Sequence, residues 1–459
     1  MNRLLVAGVV LLGACAQPAT VDTTTTTAAV PVTTAPPRVA SAPQFETVPC
    51  SSTPPVAFAV LCEAFEDIVD GHVDGPEPGS LAAAAALGVD QLEFDGAETL
   101  GDFECVVPHE SFESLCQAIA RRGLERPAPL DELVTAAVRG MFRYGLDPFS
   151  VYIPGSDVDV DFDGSGLVIE IGVIVSGRDQ AGAVCSPLGG GCRFEVVSVF
   201  DFSAAAKGGI GVGDAIVEVD GRAVEGLAPA EATALLAGAP GTEVEIVVVR
   251  DGASLTRTLT REDIRFVPTE WDQLEGGYAY FRMNDFSQQA AIDLGAFLQS
   301  DVVAGSSGLV LDLRDNPGGL ILAAQAVASQ FLDGGLVMVE RGREYSDEIP
   351  VVDGGLARTD LDVAVLVNRG SASASEIVAA VLQERGRAVV VGEPTFGKNL
   401  VQWVSESRDG GQLRISIARW ETPAGRDIGI RGLEPDVVVR ADPNTDVDEV
   451  LEAALDVLS

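Results

Sequence analysis

Apolar and polar positions alternate with two different periods along this chain, and the change of period divides it. From residue 263 to residue 459, short continuous apolar runs are followed by longer stretches in which apolar residues recur every three or four positions. GYAYFRM (277–283) precedes QQAAIDLGAFL (288–298), and GLVLDLR (308–314) precedes GLILAAQAVASQFL (319–332). VAVLVN (363–368) precedes ASEIVAAVL (374–382), and AVVVG (388–392) comes next. Unbroken apolar runs are what strands buried on both faces require, so residues 263–459 are expected to form an α/β core. An amphipathic helix is expected to close the chain, with Val447, Val450, Leu451, Ala454, Leu455 and Leu458 on one face.

Residues 160–262 have a different rhythm. EVVSVF (195–200), AIVEVDG (215–221) and EVEIVVVRDG (243–252) read as strands punctuated by glycine, with one helix at 229–237 and an Asp-Gly turn at the end of the third run. Residues 45–159 are expected to be mainly helical. DELVTAAVRGMFRYGL (131–146) carries apolar residues at helical spacing and stops before Asp147-Pro148. Residues 16–44, rich in Thr, Ala and Pro, cannot bury a core and predict an extended tether.

The first fifteen residues, MNRLLVAGVVLLGAC, place Arg3 ahead of the apolar run Leu4–Leu12. That run is too short for a bilayer about 30 Å thick, so 1–15 predicts a signal peptide. Its end, Leu12-Gly13-Ala14-Cys15, resembles the bacterial lipobox, which implies cleavage before Cys15 and lipidation of its thiol. An ordinary signal peptide with an accidental cysteine is the alternative. With Cys15 set aside, six of the seven cysteines remain: Cys50, Cys62, Cys105, Cys116, Cys185 and Cys192. Export makes disulfides plausible. Six cysteines allow 15 connectivities; nearest-neighbour pairing is the expectation. There is no C-x-x-C, and His72 and His109 stand apart, so neither a zinc site nor any other metal site or cofactor is expected.

The chain of 459 residues is 47% hydrophobic and 22% charged, the balance of a globular protein, and long enough for two or three domains. Its 69 acids against 30 bases give a net charge of −39, which argues against nucleic acid or anionic lipid as main partners. Sequence leaves the oligomeric state open, a homo-oligomer included.

The candidate chemistry lies in GSASASEIVAAVL (370–382). Ser373 and Glu376 have the S-x-x-E spacing of a capping box, which is the plain reading. A hydroxyl at the mouth of a helix, beside unpaired N–H groups, also suits a nucleophile. A nucleophile needs a base. Both histidines fall before residue 110, away from any motif, which makes a Ser-His-Asp triad a poor fit. Lysine is the next option, and the chain has only Lys207 and Lys398 against 28 arginines. Chance in a lysine-poor composition would also account for either. A β-α-β unit would bring the loop of Lys398, after strand 388–392, to the same sheet edge as Ser373. The amine would need its pKa lowered from about 10.4 towards 7, a cost of roughly 4 kcal/mol, and burial beside Phe396, Leu400, Val401 and Trp403 would supply it. A second turn, LDLRDNPGGL (311–320), exposes backbone N–H groups able to bind an oxyanion; a plain αβ turn is the alternative.

NRGSASASEI (368–377), VGEPTFGKNLVQ (391–402) and LRDNPGG (313–319) together resemble the carboxyl-terminal processing proteases, also called tail-specific proteases. GLDPFSVYIP (145–154) is similar to the segment that precedes their PDZ domain, GGIGVGDAIVEVDGRAV (208–224) to the PDZ core, and WETPAGRDIGIRGLEPDVVV (420–439) to their closing strands. The likeness covers roughly 130–459; residues 45–130 resemble nothing recognised. It implies a multidomain α/β protein: a helical N-terminal region, a PDZ domain at 160–262, and a crotonase-like or ClpP-like protease core. It implies Ser373 as nucleophile and Lys398 as general base, at the family's spacing of 25 positions. Gln402, one helical-turn length beyond the lysine, would orient it, and N–H groups of Gly318 or Gly319 and of Ala374 would form the oxyanion hole. Ser371 and Ser375 keep packing and capping roles. Asn399 stands where the family has glycine. Gly164-Ser165-Gly166-Leu167-Val168 would hold a substrate's terminal carboxylate in the PDZ part, with the peptide added as a strand; a simple hairpin turn is the alternative.

The function expected is that of an exported, lipid-anchored serine endopeptidase cutting proteins at or near apolar carboxyl-terminal tails. A non-catalytic PDZ adaptor and an envelope scaffold are the competing classes. The adaptor gives no reason to keep both Ser373 and Lys398, and the scaffold leaves Gln402 and the glycine turn unexplained.

Overall fold

The computed structural model describes residues 56–92, 128–155, 167–168, 170–200, 203–262, 267–352, 356, 358–441, 445 and 447–459. The expected signal peptide and tether, and with them Cys15, Cys50, Cys105, Cys116, Gly164 and Gly166, lie outside these residues.

Three helices begin the described chain: α1 (Val56–Gly71), α2 (Pro78–Asp90) and α3 (Leu130–Gly145). α3 ends at Leu146, which is extended, one step ahead of the Asp147 that Pro148 biases away from helix. α2 and α3 cross where glycine meets glycine: a Cβ on Gly88 would lie 2.1 Å from the carbonyl oxygen of Ala136, and one on Gly140 2.5 Å from that of Ala84. The apolar stripes of the three helices, with Leu81, Val89, Leu133, Val138 and Met141, close over Tyr152 of β1 (Val151–Ile153) and over Leu413 and Ile415 far along the chain.

The middle module is antiparallel. It comprises β2 (Leu167–Val168), β3 (Val173–Arg178), β4 (Arg193–Val199), α4 (Ala204–Lys207), β5 (Ala215–Val219), β6 (Arg222–Ala223), α5 (Pro229–Leu236), β7 (Glu243–Arg250) and β8 (Ala253–Thr260). The strand order is β2-β3-β4-β5-β7-β8, with β6 paired to β5. The Asp251-Gly252 turn joins β7 to β8 with both residues at positive φ, 50° and 79°, which matches the twist of a tight hairpin. Among the described residues β2 borders only β3, and α5 lies against both. Cys185 and Cys192 form a disulfide in the β3–β4 loop. Cys62 is also disulfide-bonded.

The C-terminal part holds β9 (Thr269–Gln273), β10 (Ala279–Met283), α6 (Gln288–Phe297), α7 (Asp301–Ala304), β11 (Leu309–Asp312), α8 (Ile321–Ser329), β12 (Leu336–Gly342), β13 (Ser346–Pro350), β14 (Val363–Val367), α9 (Ala374–Glu384), β15 (Val389–Gly392), β16 (Leu400–Glu406), β17 (Gln412–Glu421), β18 (Val437–Val438) and α10 (Glu449–Leu458). One sheet runs β18-β15-β14-β11-β10-β9, parallel except for the edge strand β9. Its central strands β11 and β14 are buried on both faces. Leu309, Leu311, Val363 and Val365 face the helices α6, α8 and α9, while Val310, Ala364 and Leu366 face α10. α10 begins later than the apolar pattern implies, because the Asp448 carboxylate caps it by accepting the N–H of Leu451 at 3.0 Å. Val447 therefore lies outside the helix and is 47% exposed. The strand–helix pattern does not show the second sheet. It is antiparallel and runs β1-β17-β12-β13 with β16 also on β17, so the N-terminal region contributes its own strand to it.

Candidate active site

Ser373 stands between β14 and α9, at the carboxyl edge of the parallel sheet. Its φ of 54° and ψ of −113° are unusual for a residue with a side chain. Such a backbone costs about 1–3 kcal/mol and persists only where its surroundings impose it. They do so here. The N–H of Ser373 donates to Glu376 Oε2 at 2.8 Å, and the N–H of Ala372 donates to the Asn316 carbonyl at 3.0 Å. The hydroxyl of Ser375 donates to the same carbonyl at 2.8 Å. The Ser371 hydroxyl donates to the Leu313 carbonyl at 2.7 Å and accepts the N–H of Asn368 at 3.0 Å. Ser371 and Ser375 are thus buried structural groups, whereas the Ser373 hydroxyl makes no capping bond to its helix.

The glycine turn lies against this serine. The N–H of Phe286 donates to the Gly318 carbonyl at 2.8 Å, and that of Leu320 to the Phe286 carbonyl at 2.9 Å, which strings the turn beside the end of β10. Gly318 has φ 103°, and a Cβ there would fall 2.7 Å from the Ala372 carbonyl oxygen and 2.9 Å from the Ser373 Cβ. The two N–H groups of the turn differ. That of Gly318 donates to Asn316 Oδ1 at 2.9 Å, whereas no hydrogen bond among the described residues takes that of Gly319 or of Ala374. Two unclaimed donors therefore flank Ser373 on either side.

Lys398 is 6% exposed; the other lysine, Lys207, has a side chain 59% exposed and pairs with Glu262 at 2.7 Å. Glu376, wholly buried on α9, ties the loop of Lys398 to Ser373. Its carboxylate accepts the N–H of Ser373, the N–H of Lys398 at 2.9 Å, the N–H of Gly397 at 2.7 Å and the hydroxyl of Thr395 at 2.5 Å. Burial pushes this carboxyl up, and the four donors work against the rise. Sequence reading took Glu376 for a helix cap. No sequence signal marks its larger task, because the donors of TFGK lie 19 to 22 positions from Glu376.

Gln402 lies on strand β16 and not a helical turn beyond Lys398; a register shift between Val401 and Gln402 re-aims it. Its Nε2 donates to the Phe149 carbonyl at 2.6 Å, and the Phe149 ring centroid is 5.8 Å from Lys398 Nζ. Asn399 donates its amide to Asp427 at 2.7 Å, a structural use of the position.

Leu167 and Val168 form β2 at one edge of the middle module, paired with Ile174 and Val173. The module reaches the site through other residues. Arg178 of β3, 2% exposed, donates to the Phe396 carbonyl at 2.9 Å, with its guanidinium carbon 4.4 Å from the Phe396 ring centroid. Burial first, and then Arg369 nearby, push its pKa down to about 10. The Ser198 hydroxyl donates to Asp315 at 2.5 Å. Val184, Ile174 and Val197 share an apolar cluster with Ala372, Phe396 and Leu400, which flank the serine and the lysine. Arg178 lies in no quoted motif, and the motifs that contain Asp315 and Phe149 assign these two residues no role.

Comparison with known proteins agrees with this architecture. Residues 277–439 match Peptidase family S41, and residues 170–260 match the PDZ domain family. The chain is 32% identical over 313 residues to a probable CtpA-like serine protease of Staphylococcus aureus, covering 67% of this chain and 60% of that protein. It is 34% identical over 279 residues to a carboxyl-terminal-processing protease of Synechocystis, covering 58% of this chain and 65% of that one. It therefore spans less than two thirds of the length of these curated relatives. The solved structure of a photosystem II D1 C-terminal processing protease superposes with a TM-score of 0.63 at 26% identity, covering 88% of this chain and 98% of that one.

Proposed function

We propose that this chain, which carries a core of Peptidase family S41 at residues 277–439 and a PDZ domain at residues 170–260, is a serine endopeptidase that cuts proteins near apolar carboxyl termini. The observation that carries the reading is the strained Ser373 at a helix mouth, flanked by the unclaimed N–H groups of Gly319 and Ala374 and tied through Glu376 to the buried Lys398.

In this reading the Ser373 hydroxyl oxygen attacks the scissile carbonyl while the neutral amine of Lys398 takes its proton. The oxyanion that forms sits between the N–H groups of Gly319 and Ala374, donors already fixed before reaction. Of the two glycines considered, Gly319 serves, because the N–H of Gly318 is already engaged with Asn316. The ammonium then returns its proton to the departing amine as the C–N bond breaks, leaving an acyl-serine. Water, deprotonated by the same amine, cleaves that ester and restores both groups. Gln402 fixes the amine's direction.

The middle module supplies substrate. Among the described residues β2 pairs on one side only and lies beside α5, the geometry in which an extended peptide adds as a further strand. Export and lipidation at Cys15 complete the proposal, placing the enzyme at a bacterial envelope membrane; they rest on the N-terminal sequence alone. The deciding experiment is cleavage of a protein with an apolar tail by the purified chain and by Ser373→Ala. Equal cleavage by both would overturn the reading. Intact-mass measurement of the native protein, expected to begin at a lipidated Cys15, tests the anchor; an unmodified terminus elsewhere removes it.

A further inference from the structure

His72 and Asp147, 75 positions apart, meet at 2.8 Å, and His72 is 2% exposed. The ring's Nδ1 accepts the N–H of Asp74 at 3.1 Å, so Nε2 carries the proton and donates it to the carboxylate. Asp147 also accepts the N–H of Phe149 at 2.8 Å, the N–H of Ser150 at 3.1 Å and the Ser150 hydroxyl at 2.6 Å. The Ser416 hydroxyl donates to it at 3.1 Å, and the N–H of Val73 donates to the Ser416 carbonyl at 2.8 Å. The end of α1, the turn after α3 and the middle of β17 are thereby knotted around one buried carboxylate. A buried charge is costly unless fully paired, so a knot this complete fixes its turn in one arrangement.

The turn presents Phe149, 7% exposed. The Phe149 ring lies 5.8 Å from the Lys398 amine and 6.4 Å from the Phe396 ring. Its carbonyl accepts Gln402 Nε2 at 2.6 Å. A carbonyl only accepts, so the Gln402 amide turns its nitrogen to Phe149 and keeps its oxygen for another donor.

We propose that Phe149 is a positioning residue of the active site: its ring walls the Lys398 amine, its carbonyl sets the Gln402 amide, and the His72–Asp147 pair holds it there. The N-terminal helical region, silent in the sequence, thereby becomes part of the catalytic apparatus. The proposal rests on the reading of Lys398 as the base. A ring against an amine acts in two directions. Its face attracts the ammonium, an effect that fades near about 6 Å; its bulk excludes water, which favours the neutral amine. For an amine near the outer limit of the first effect and 6% exposed, the second prevails.

Among the described residues, the charged groups around this loop include Glu376 on α9, Glu393 of the loop itself with Arg440, Arg178 on β3 with Arg369 and Glu195 behind it, Asp427 beside Asn399, and Asp147 with His72 behind Phe149. None of them changes in a Phe149 variant, so a change in the lysine's titration reports the wall.

The composition makes the test direct. Only two lysines exist, so lysine labelled with carbon-13 at Cε gives two resonances, assigned with Lys207→Arg. Their shifts against pH report each amine without reference to activity. Phe149→Ala is expected to move the Lys398 titration up by about one pH unit as water enters. The acid limb of kcat/KM on fluorescein-labelled β-casein should move with it. Phe149→Leu, which keeps an apolar wall, should restore both to within about half a unit. Asp147→Asn should move both in the same direction as Phe149→Ala. If Phe149→Ala lowers the melting temperature and leaves both profiles in place, its role is packing and the proposal falls. If Lys398→Arg remains active, the reading of Lys398 as base falls, even where Phe149→Ala still shifts the amine.

Discussion

The backbone N–H of Lys398 donates to Oε2 of Glu376 at 2.9 Å. That oxygen is also the acceptor for the N–H of Ser373, so a single buried atom spaces the candidate base from the candidate nucleophile. Glu376→Gln keeps the shape and replaces one acceptor oxygen by a donor. Turned towards Ser373 and Lys398 the NH₂ group faces two N–H donors, and turned the other way it faces the Gly397 N–H beside a Thr395 hydroxyl that must reverse its bond, at about 1–3 kcal/mol for each lost partner. The expected outcome is a fall in kcat of at least about a hundredfold, with KM little changed, because the lost contacts space the reacting groups rather than bind substrate. Steady-state kinetics on a tailed protein substrate would show it. A loss confined to KM would detach Glu376 from the chemistry.

Ser373→Ala and Lys398→Ala are each expected to abolish cleavage, and the double variant to be no worse than either, because groups that act as a unit lose function together. Lys398→Arg is expected to be inactive, since a guanidinium stays charged. Activity requires the neutral amine, so kcat/KM should rise with pH through the acid limb. Ser371→Ala should leave the nucleophile in place and cost about 1–3 kcal/mol of stability, because its hydroxyl bridges Leu313 and Asn368 in the interior. Activity surviving in Ser373→Ala, or a rate falling steadily from low to high pH, would refute the dyad.

Much of the core was readable because its rules are local. Unbroken apolar runs such as residues 309–311 and Val363–Val367 signal a strand buried on both faces, and they alternate with helices over short loops. The meeting of Ser373 and Lys398 at one sheet edge follows from that alternation by the handedness of β-α-β units. What escaped was non-local. β1 pairs with β17 across the length of the chain, His72 seemed solitary because its partner Asp147 is 75 positions on, and the Gln402 register depends on a bulge. Glu376 was visible as a cap, but its other three donors lie on a loop that only tertiary folding brings back. The second sheet hid because β13 and β16 are edge strands with mixed exposure, which lack the unbroken apolar pattern.

Acid should loosen the knot around Asp147. Burial works upward on this carboxyl, but the hydrogen bonds from His72, Ser150 and the Phe149 N–H hold it below the ordinary value. A carboxyl lowered on folding contributes stability that is present above its unfolded pKa of about 3.9 and is lost as pH falls through the lower folded value. Asp147→Asn removes that contribution. The expected outcome is a chain less stable at pH 7 by about 1–3 kcal/mol, the range for leaving buried donors without their acceptor, with the deficit shrinking below pH 4. Urea melts at several pH values would measure it, and an unchanged deficit at pH 3 would contradict it.

The disulfide between Cys185 and Cys192 closes a small loop in the stretch that carries Val184 into the cluster beside Ala372 and Phe396. A loop of this size restrains the unfolded chain by about 2–3 kcal/mol. Replacing both cysteines by serine should lower the stability of the middle module by that amount in urea melts. Because Val184 touches the core from this loop and Arg178 from the end of the strand that leads into it, activity should fall with it. Full activity in the double serine variant would mean that the loop's contacts with the core do not need the cross-link.

Selection of substrate should depend on the tail. Among the described residues no strand pairs with the outer edge of β2, and α5 flanks it, so a bound chain end would run as a strand with alternate side chains directed towards the helix. Apolar side chains there would contribute at about 25 cal/mol per Å² buried, and N–H groups at the start of β2 would favour a free carboxylate over a neutral amide. The net charge of −39 works against acidic tails. One protein substrate should therefore be compared with four endings: apolar free, apolar amidated, acidic free, and polar neutral. The first is expected to be cleaved fastest, with the advantage in KM and the acidic tail gaining most from added salt, since screening weakens repulsion. Equal cleavage of all four would place recognition in the cleft around Ser373 and leave the β2 edge without a part in it.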